Sequence, residues 1–264
     1  EIAWSGLGDS DVRGIFDEIL DQIQRGKLKK SVPVLTERGI LHRGEPAALV
    51  KAIIAAPESL RGYGFREGGT GVIGATPEQL FTVRDGLLET MALAGTAPRH
   101  EIHDFPHDPK EIREHEFVAD YIEELLAPFG KVEREPRTLL DLGSMIHFLT
   151  RMQVRLSDPA ADLNELVRCL HPTPALGACP RGEGALRQLL DYRERLGVPA
   201  HFGAPFGAIH EGFFQALVAI RNLSWDGCDV YLPSGVGLVE GSRFDREWRE
   251  LALKRNSVKS LLGV

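Results

Sequence analysis

Residues Gly71–Thr96, GVIGATPEQLFTVRDGLLETMALAGT, decide the fold. Apolar, strand-like runs alternate there with Gly and Pro punctuation, and Arg84-Asp85-Gly86 offers a hairpin turn between two of them. This is antiparallel β material, and the segments on either side are mostly helical. Upstream, Asp9–Gln24 has apolar positions at helical spacing behind a Ser/Asp start, and Gly26 closes the run. Lys30–Leu35 reads as a strand in which Pro33 calls for an edge or a bulge. Downstream, Asp108 is an N-cap and Pro109 a first-turn residue for a helix reaching Leu126.

Pro136–Leu156 reads as an apolar helix with His147 on its face. Asp162–Leu170 and Glu183–Leu196 are two further amphipathic helices, separated by the loop HPTPALGACPRG. Phe213–Leu223 and Asp229–Leu232 read as paired strands, and a last helix covers Arg243–Leu262. Strands and helices do not alternate strictly, which excludes a parallel doubly wound sheet. The expectation is an α+β fold with large antiparallel sheets flanked by helices, formed by residues 1–264 as one domain.

Composition narrows the function. A hydrophobic fraction of 43% and a charged fraction of 26% belong to a globular chain that buries a core. The net charge of −7 leaves no basic stripe for nucleic acid. Three cysteines, Cys169, Cys179 and Cys228, lack metal-ligand spacing and fit a reduced, cytoplasmic setting. No apolar run approaches the roughly 18 residues needed to span a bilayer, and the start has no signal-peptide pattern.

Several side chains carry chemistry, each beside a plainer reading. Glu111 and Glu114, at i and i+3, project from one helix face, and Glu247 and Glu250 repeat the spacing with Lys254 one turn on. Two such pairs facing each other would suit a hard divalent cation; the alternative is a solvated face paired with Arg113 or Arg246. Lys30 is either a desolvated base or a lysine that snorkels to water. Glu78 is either a protonated general acid or a first-turn helix carboxylate. Arg221 either grips a carboxylate with its fork or caps a strand edge, and His147 either serves a site or is a satisfied core histidine. Gly235, Gly237 and Gly241 present backbone N–H groups without a phosphate-loop pattern. Neither a Gly-x-Ser-x-Gly elbow nor a His-Glu-x-x-His site is present.

The order GATPEQL, ALAGTAPR, DPKEIREHEF, LHPTPALGACPR, LVAIR, SGVGLVEGS and EWRELALK resembles the chorismate-utilising enzymes, from about Gly26 to the C-terminus. That family includes isochorismate, salicylate, anthranilate and aminodeoxychorismate synthases. The resemblance implies their fold, chorismate as substrate, and Mg²⁺ held by Glu111, Glu114, Glu247 and Glu250, partly through water. It implies Lys30 as the base that activates water toward C2, Glu78 as the acid that protonates the departing C4 oxygen, and His147 near the ring. Arg221, with the backbone at Gly235 and Gly237, would hold the enolpyruvyl carboxylate; Lys254, Ala175 and the Ala94-Gly95-Thr96 motif would border the substrate.

Within this resemblance, three positions imply isochorismate synthase chemistry. Aminating members carry Gln in place of Lys30, aminodeoxychorismate synthases have a lysine in place of Ala94, and pyruvate-releasing members have Thr in place of Ala175. Phe202, where several relatives have Tyr, agrees, and no glutaminase partner is implied. The alternatives are salicylate synthesis, amination, or a non-catalytic chorismate-binding subunit. The chain departs from the family in lacking the N-terminal region usual there, in Pro33, in Ala178 for Gly, and in Arg243-Phe244-Asp245 for an Asp-Pro-Glu run.

Overall fold

The computed structural model describes residues 1–8, 10–44 and 46–264. The chain runs through β1 (Ile2–Trp4), α1 (Ser10–Gln24), β2 (Lys30–Ser31), β3 (Val34–Leu41), α2 (Leu49–Ile54), β4 (Arg61–Glu67), β5 (Thr70–Thr76), β6 (Gln79–Arg84) and β7 (Leu87–Pro98). It continues through α3 (Pro109–Leu126), β8 (Val132–Arg134), β9 (Thr138–Asp141), β10 (Met145–Arg155), α4 (Leu163–Leu170), β11 (Ala178–Cys179) and α5 (Glu183–Arg195). The final stretch is β12 (Pro205–His210), β13 (Phe213–Val218), β14 (Asn222–Asp226), β15 (Asp229–Gly235), β16 (Leu238–Val239) and α6 (Phe244–Leu262). Asp9, the expected start of the first helix, lies outside the described residues.

Three antiparallel sheets result. One has six strands in the order β1-β3-β15-β14-β5-β4; a second has β12-β13-β6-β7-β10-β8, with β9 also on β10; a small third is β11-β2-β16. The Gly71–Thr96 stretch supplies the centre of this plan. Arg84 pairs with Leu87, and Asp85 and Gly86 between them take φ of 51° and 72°, the two left-handed residues a tight hairpin requires. The same stretch also changes sheet: β5 belongs to the six-stranded sheet and β6 to the seven-stranded one, so Pro77-Glu78 is a crossing point.

The chain crosses back between β13 and β14. Phe213–Leu223 is therefore not one strand paired with 229–232, as its composition implies. It breaks after Val218, and only Ser224–Asp226 pairs with Asp229–Tyr231. Arg221 makes the turn in a left-handed backbone conformation, φ 55°, which is uncommon for a residue with a side chain.

Pro136–Leu156 is not a helix either. It forms β9 and β10, with His147 on a strand opposite Thr96. Met145–Thr150 is buried on both faces, so its apolar residues form a continuous run that hides the period. Beyond it, Arg151-Met152-Gln153-Val154-Arg155 alternates exposed and buried as a half-covered strand should.

The other five expected helices form as α1, α3, α4, α5 and α6 close to their expected bounds. Asp108 caps α3 by accepting from the Lys110 and Glu111 amides at 2.9 and 3.3 Å, and Asp162 caps α4 through Asn164. The 30–35 strand is split: Lys30 and Ser31 enter the small sheet, and Val34 starts β3. Pro33 lies at this break, where it has no ladder hydrogen bond to donate. α3 packs Val118, Ala119, Ile122 and Leu126 into the main core against β6, β7 and β10, about 1.5–3 kcal/mol for each of the larger side chains. A second core joins α1, α5 and α6 to the small sheet. Among the described residues no helix is long and apolar enough to cross a membrane.

Candidate active site

The two crossings, β7, β10, the end of β15 and residues that flank the small sheet enclose a cavity. Glu78 and Arg221 enter it from the crossings, Ala94-Gly95-Thr96 from β7, His147 from β10 and Lys254 from α6. Ala175, Leu176 and Phe202 close one side; Ser234, Gly235 and Gly237 line another.

Glu78 is 5% exposed, and burial pushes its carboxyl up to about 7 against the pull of Lys30, Lys254 and Arg221. It is thus a carboxylic acid able to hold its proton near neutrality, and it lies between strands, not in the first turn of a helix. Arg221 donates from Nη1 to Ser257 Oγ at 3.0 Å and from Nη2 to Met145 Sδ at 3.0 Å. Its Nη2 also lies 3.1 Å from His147 Nε2. A guanidinium carries five N–H donors, so two remain for an anion in the cavity. Burial lowers it to about 10, with Glu250 and Glu78 acting the other way.

His147 is fixed in one tautomer. Its Nδ1 sits 3.1 Å from the Gly95 carbonyl, which only accepts, so Nδ1 carries the proton and Nε2 accepts from Arg221. Burial, then Arg221 and Lys254, hold the ring well below its ordinary pKa and hence neutral. Both nitrogens are engaged, and the ring orients the arginine.

Behind the cavity lies a cluster of carboxylates. α3 and α6 present Glu111, Glu114 and Glu247, all buried, and Glu250, nearly so. Lys30, fully buried, donates to Glu114 Oε1 at 2.9 Å, whereas Lys29 is exposed. Lys110 reaches Glu111 Oε1 at 2.9 Å, Glu114 Oε2 at 3.1 Å and Glu247 Oε1 at 3.2 Å. Lys254 pairs with Glu250 Oε1 at 2.6 Å and donates to the Gly235 carbonyl at 2.9 Å. Glu111 is anchored further by the Thr96 amide on its Oε2, at 2.9 Å.

The electrostatics follow from this arrangement. Burial raises Glu111 to about 8 and Glu247 to about 7, with Lys110 only partly offsetting it. Burial acts on Glu114 too, but Lys30 and Lys110 together outweigh it and hold that carboxylate at about 2. Gly237 makes the close packing possible: a Cβ there would fall 2.0 Å from Glu114 Oε1 and 2.8 Å from Lys30 Cε.

The two glutamate pairs therefore converge, and they do not pair with the arginines proposed for a solvated face. Arg113 meets Glu240, Arg246 meets Asp108, and Glu116 pairs with Arg134 and Arg137 outside the cluster. Four hard oxygen donors on facing helices are the ligand chemistry of Mg²⁺. As the side chains stand, no three His, Cys, Asp or Glu groups among the described residues form a metal cage, and an ammonium holds the point between them.

Four of the sequence-derived residues, Lys30, Glu111, Glu247 and Glu250, lie behind the cavity wall, and the others form it. Gly241 also lies outside it, and a Cβ added there would meet nothing within 4 Å. Two participants were not singled out in the sequence. Lys110, at i and i+4 to Glu114, has the pattern of an ordinary surface pair. His115 is buried with Nδ1 on the Ala94 carbonyl and Nε2 on Thr150 Oγ1, tying α3 to the strands that carry the cavity wall.

Comparison with known proteins agrees with this plan. The family model described as "Chorismate binding enzyme" matches residues 9–263. The salicylate biosynthesis isochorismate synthase of Pseudomonas aeruginosa is 31% identical over 262 residues, 94% of this chain and 53% of that protein. Anthranilate synthase component 1 of Aeropyrum pernix is 26% identical over 276 residues, 96% of this chain and 60% of that protein. The structure titled as a putative 2,3-dihydroxybenzoate-specific isochorismate synthase, DhbC, from Bacillus anthracis superimposes with a TM-score of 0.86 at 19% identity, over 100% of this chain and 74% of that one. The chain spans about half the length of the curated relatives it matches. With fold, motif order and family model in agreement, the chain belongs to the chorismate-binding enzyme family.

Proposed function

We propose that the chain carries isochorismate synthase chemistry, turning chorismate into isochorismate. Water adds at C2, both ring double bonds shift along the diene, and the C4–O bond breaks with its oxygen leaving as water. Glu78 gives its proton to the departing C4 oxygen, and Lys30, released from Glu114 as the free amine, takes one from the attacking water. The observation that carries this reading is Glu78: a buried carboxyl raised to about 7 beside Lys30, Lys254 and Arg221 is an acid matched to neutral pH. Arg221, held by Ser257, Met145 and His147, offers its two spare donors to a substrate carboxylate.

Glu111, Glu114, Glu247 and Glu250 would hold Mg²⁺, in part through water, and the ion would supply neutralising charge for a substrate carboxylate. Lys30, Ala94 and Ala175 support hydration over amination and over pyruvate release. The likeness to an anthranilate synthase component favours amination as the second reading.

Incubation with chorismate and Mg²⁺, with and without ammonia, followed by separation of products, tests both. Isochorismate that retains its enolpyruvyl group, in both arms, is expected. Pyruvate release with salicylate or anthranilate overturns the assignment, and binding without turnover makes the chain a non-catalytic chorismate-binding subunit.

A further inference from the structure

Lys110 is the side chain that the reaction leaves unused and the structure places most deliberately. It is 12% exposed, and its ammonium donates to Glu111 and Glu114 of α3 at 2.9 and 3.1 Å and forms an ion pair with Glu247 of α6 at 3.2 Å. The other lysines of the cluster serve single carboxylates, Lys30 on Glu114 and Lys254 on Glu250. Lys110 alone among them bridges α3 to α6, and it alone among them meets Glu111 and Glu247.

An ammonium and a divalent cation cannot share one point, and both are drawn there by the same oxygens. We infer that Lys110 is a tethered competitor for the divalent cation, holding α3 and α6 together without metal and swinging out when a cation enters. This rests on the metal reading above. Its consequence is regulatory: the protein tolerates a metal-poor state without its carboxylates driving the helices apart, and loading has a threshold set by one lysine. Charge sets the direction. Removing a positive side chain from among four carboxylates strengthens their attraction for a cation and weakens the cation-free state.

The test compares wild type with Lys110→Met, which keeps length and loses charge. Binding of Mg²⁺ and of Mn²⁺ is measured by calorimetry at about pH 9, where protons compete least for the carboxylates. Lys110→Met is expected to bind the cation about tenfold tighter or more, the scale of one buried ion-pair contact, and to melt lower than wild type in chelator. Equal or weaker binding by the variant overturns the inference while leaving the metal site standing. No binding by either protein overturns both.

Lys110→Met depends on folding without its bridge, so a second measurement uses wild type alone. Amine acetylation read by mass spectrometry is expected to label Lys110 faster in saturating Mg²⁺ than in chelator. Unchanged or slower labelling of a protein that calorimetry shows to be loaded overturns the displacement.

Discussion

At the scale of single residues the site is a set of charges held away from water, and its behaviour with pH follows. Glu78 does its proposed work protonated, and its proton is lost as pH rises through about 7. The proposed turnover therefore falls on the alkaline side of neutrality, and kcat/KM for chorismate against pH is expected to show that limb near 7 in free enzyme. Glu78→Gln keeps the shape without a transferable proton and is expected to lose about 10²–10⁴-fold in kcat with the fold unchanged. A variant within a fewfold of wild type would remove Glu78 from the chemistry. Lys30 is a different case, because its ammonium is committed to Glu114. Lys30→Ala is expected to lose activity and also roughly 3–5 kcal/mol of stability, the range for breaking a buried pair, so a lowered urea midpoint should accompany the loss. An unchanged midpoint would mean that the pair contributes nothing.

At the scale of elements, the small sheet sets how closely base and carboxylates approach. β2 brings Lys30 against Cys179 of β11 and Val239 of β16, and Gly237, just before β16, leaves the space in which Glu114 meets it. Gly237→Ala puts a methyl where Glu114 Oε1 already lies, so the carboxylate must turn away from Lys30. The expected cost is about 1–3 kcal/mol, as for overpacking, with turnover falling by more than stability alone explains. Equal urea midpoints and equal turnover would show that the contact is slack. The contrast between elements that were legible in the sequence and those that were not has a physical cause. The hairpin at Asp85-Gly86 and the cap at Asp108 are local chemistry, and the structure has both where the sequence places them. β10 has the sequence of an apolar helix because both its faces are buried over Met145–Thr150, which erases the alternation that marks a strand. The break at Arg221 was invisible for another reason: nothing in LVAIR announces a left-handed residue, and only the handover between sheets requires one there. Lys110 escaped because its spacing to Glu114 is that of a common surface pair, and burial is a property of the packed helices rather than of the motif.

At the scale of the whole molecule, the buried charges give stability a predictable shape with pH when the protein is free of divalent cations. Glu78 and Glu247 at about 7 and Glu111 at about 8 bind protons more tightly folded than unfolded, where a glutamate titrates near 4.3. Their contribution is complete below the unfolded value and is lost as pH rises through about 7 to 8. The histidines act in the opposite sense. Burial lowers His115 and His171 to about 4 and depresses His147 and His201, so these rings resist protonation in the fold and destabilise it as pH falls below the unfolded value near 6.5. Glu114, held at about 2 by its two lysines, adds to the loss below about 4. Between about 4.5 and 6.5 the carboxyl and imidazole effects largely cancel, which leaves a maximum near 6.5. Above it the unfolded chain has released the protons that the three raised carboxyls still hold, so unfolding gains with every increment of pH. The expected fall between about pH 6.5 and 8 is on the order of 2 kcal/mol or more, read as urea midpoints in chelator. The double variant Glu111→Gln, Glu247→Gln removes two of the three groups responsible and is expected to flatten that limb while leaving the acid limb as it was. A wild-type midpoint that stays level or rises from pH 6.5 to 8 would mean that the cluster is solvated, contrary to the packing of α3 against α6 through Lys110.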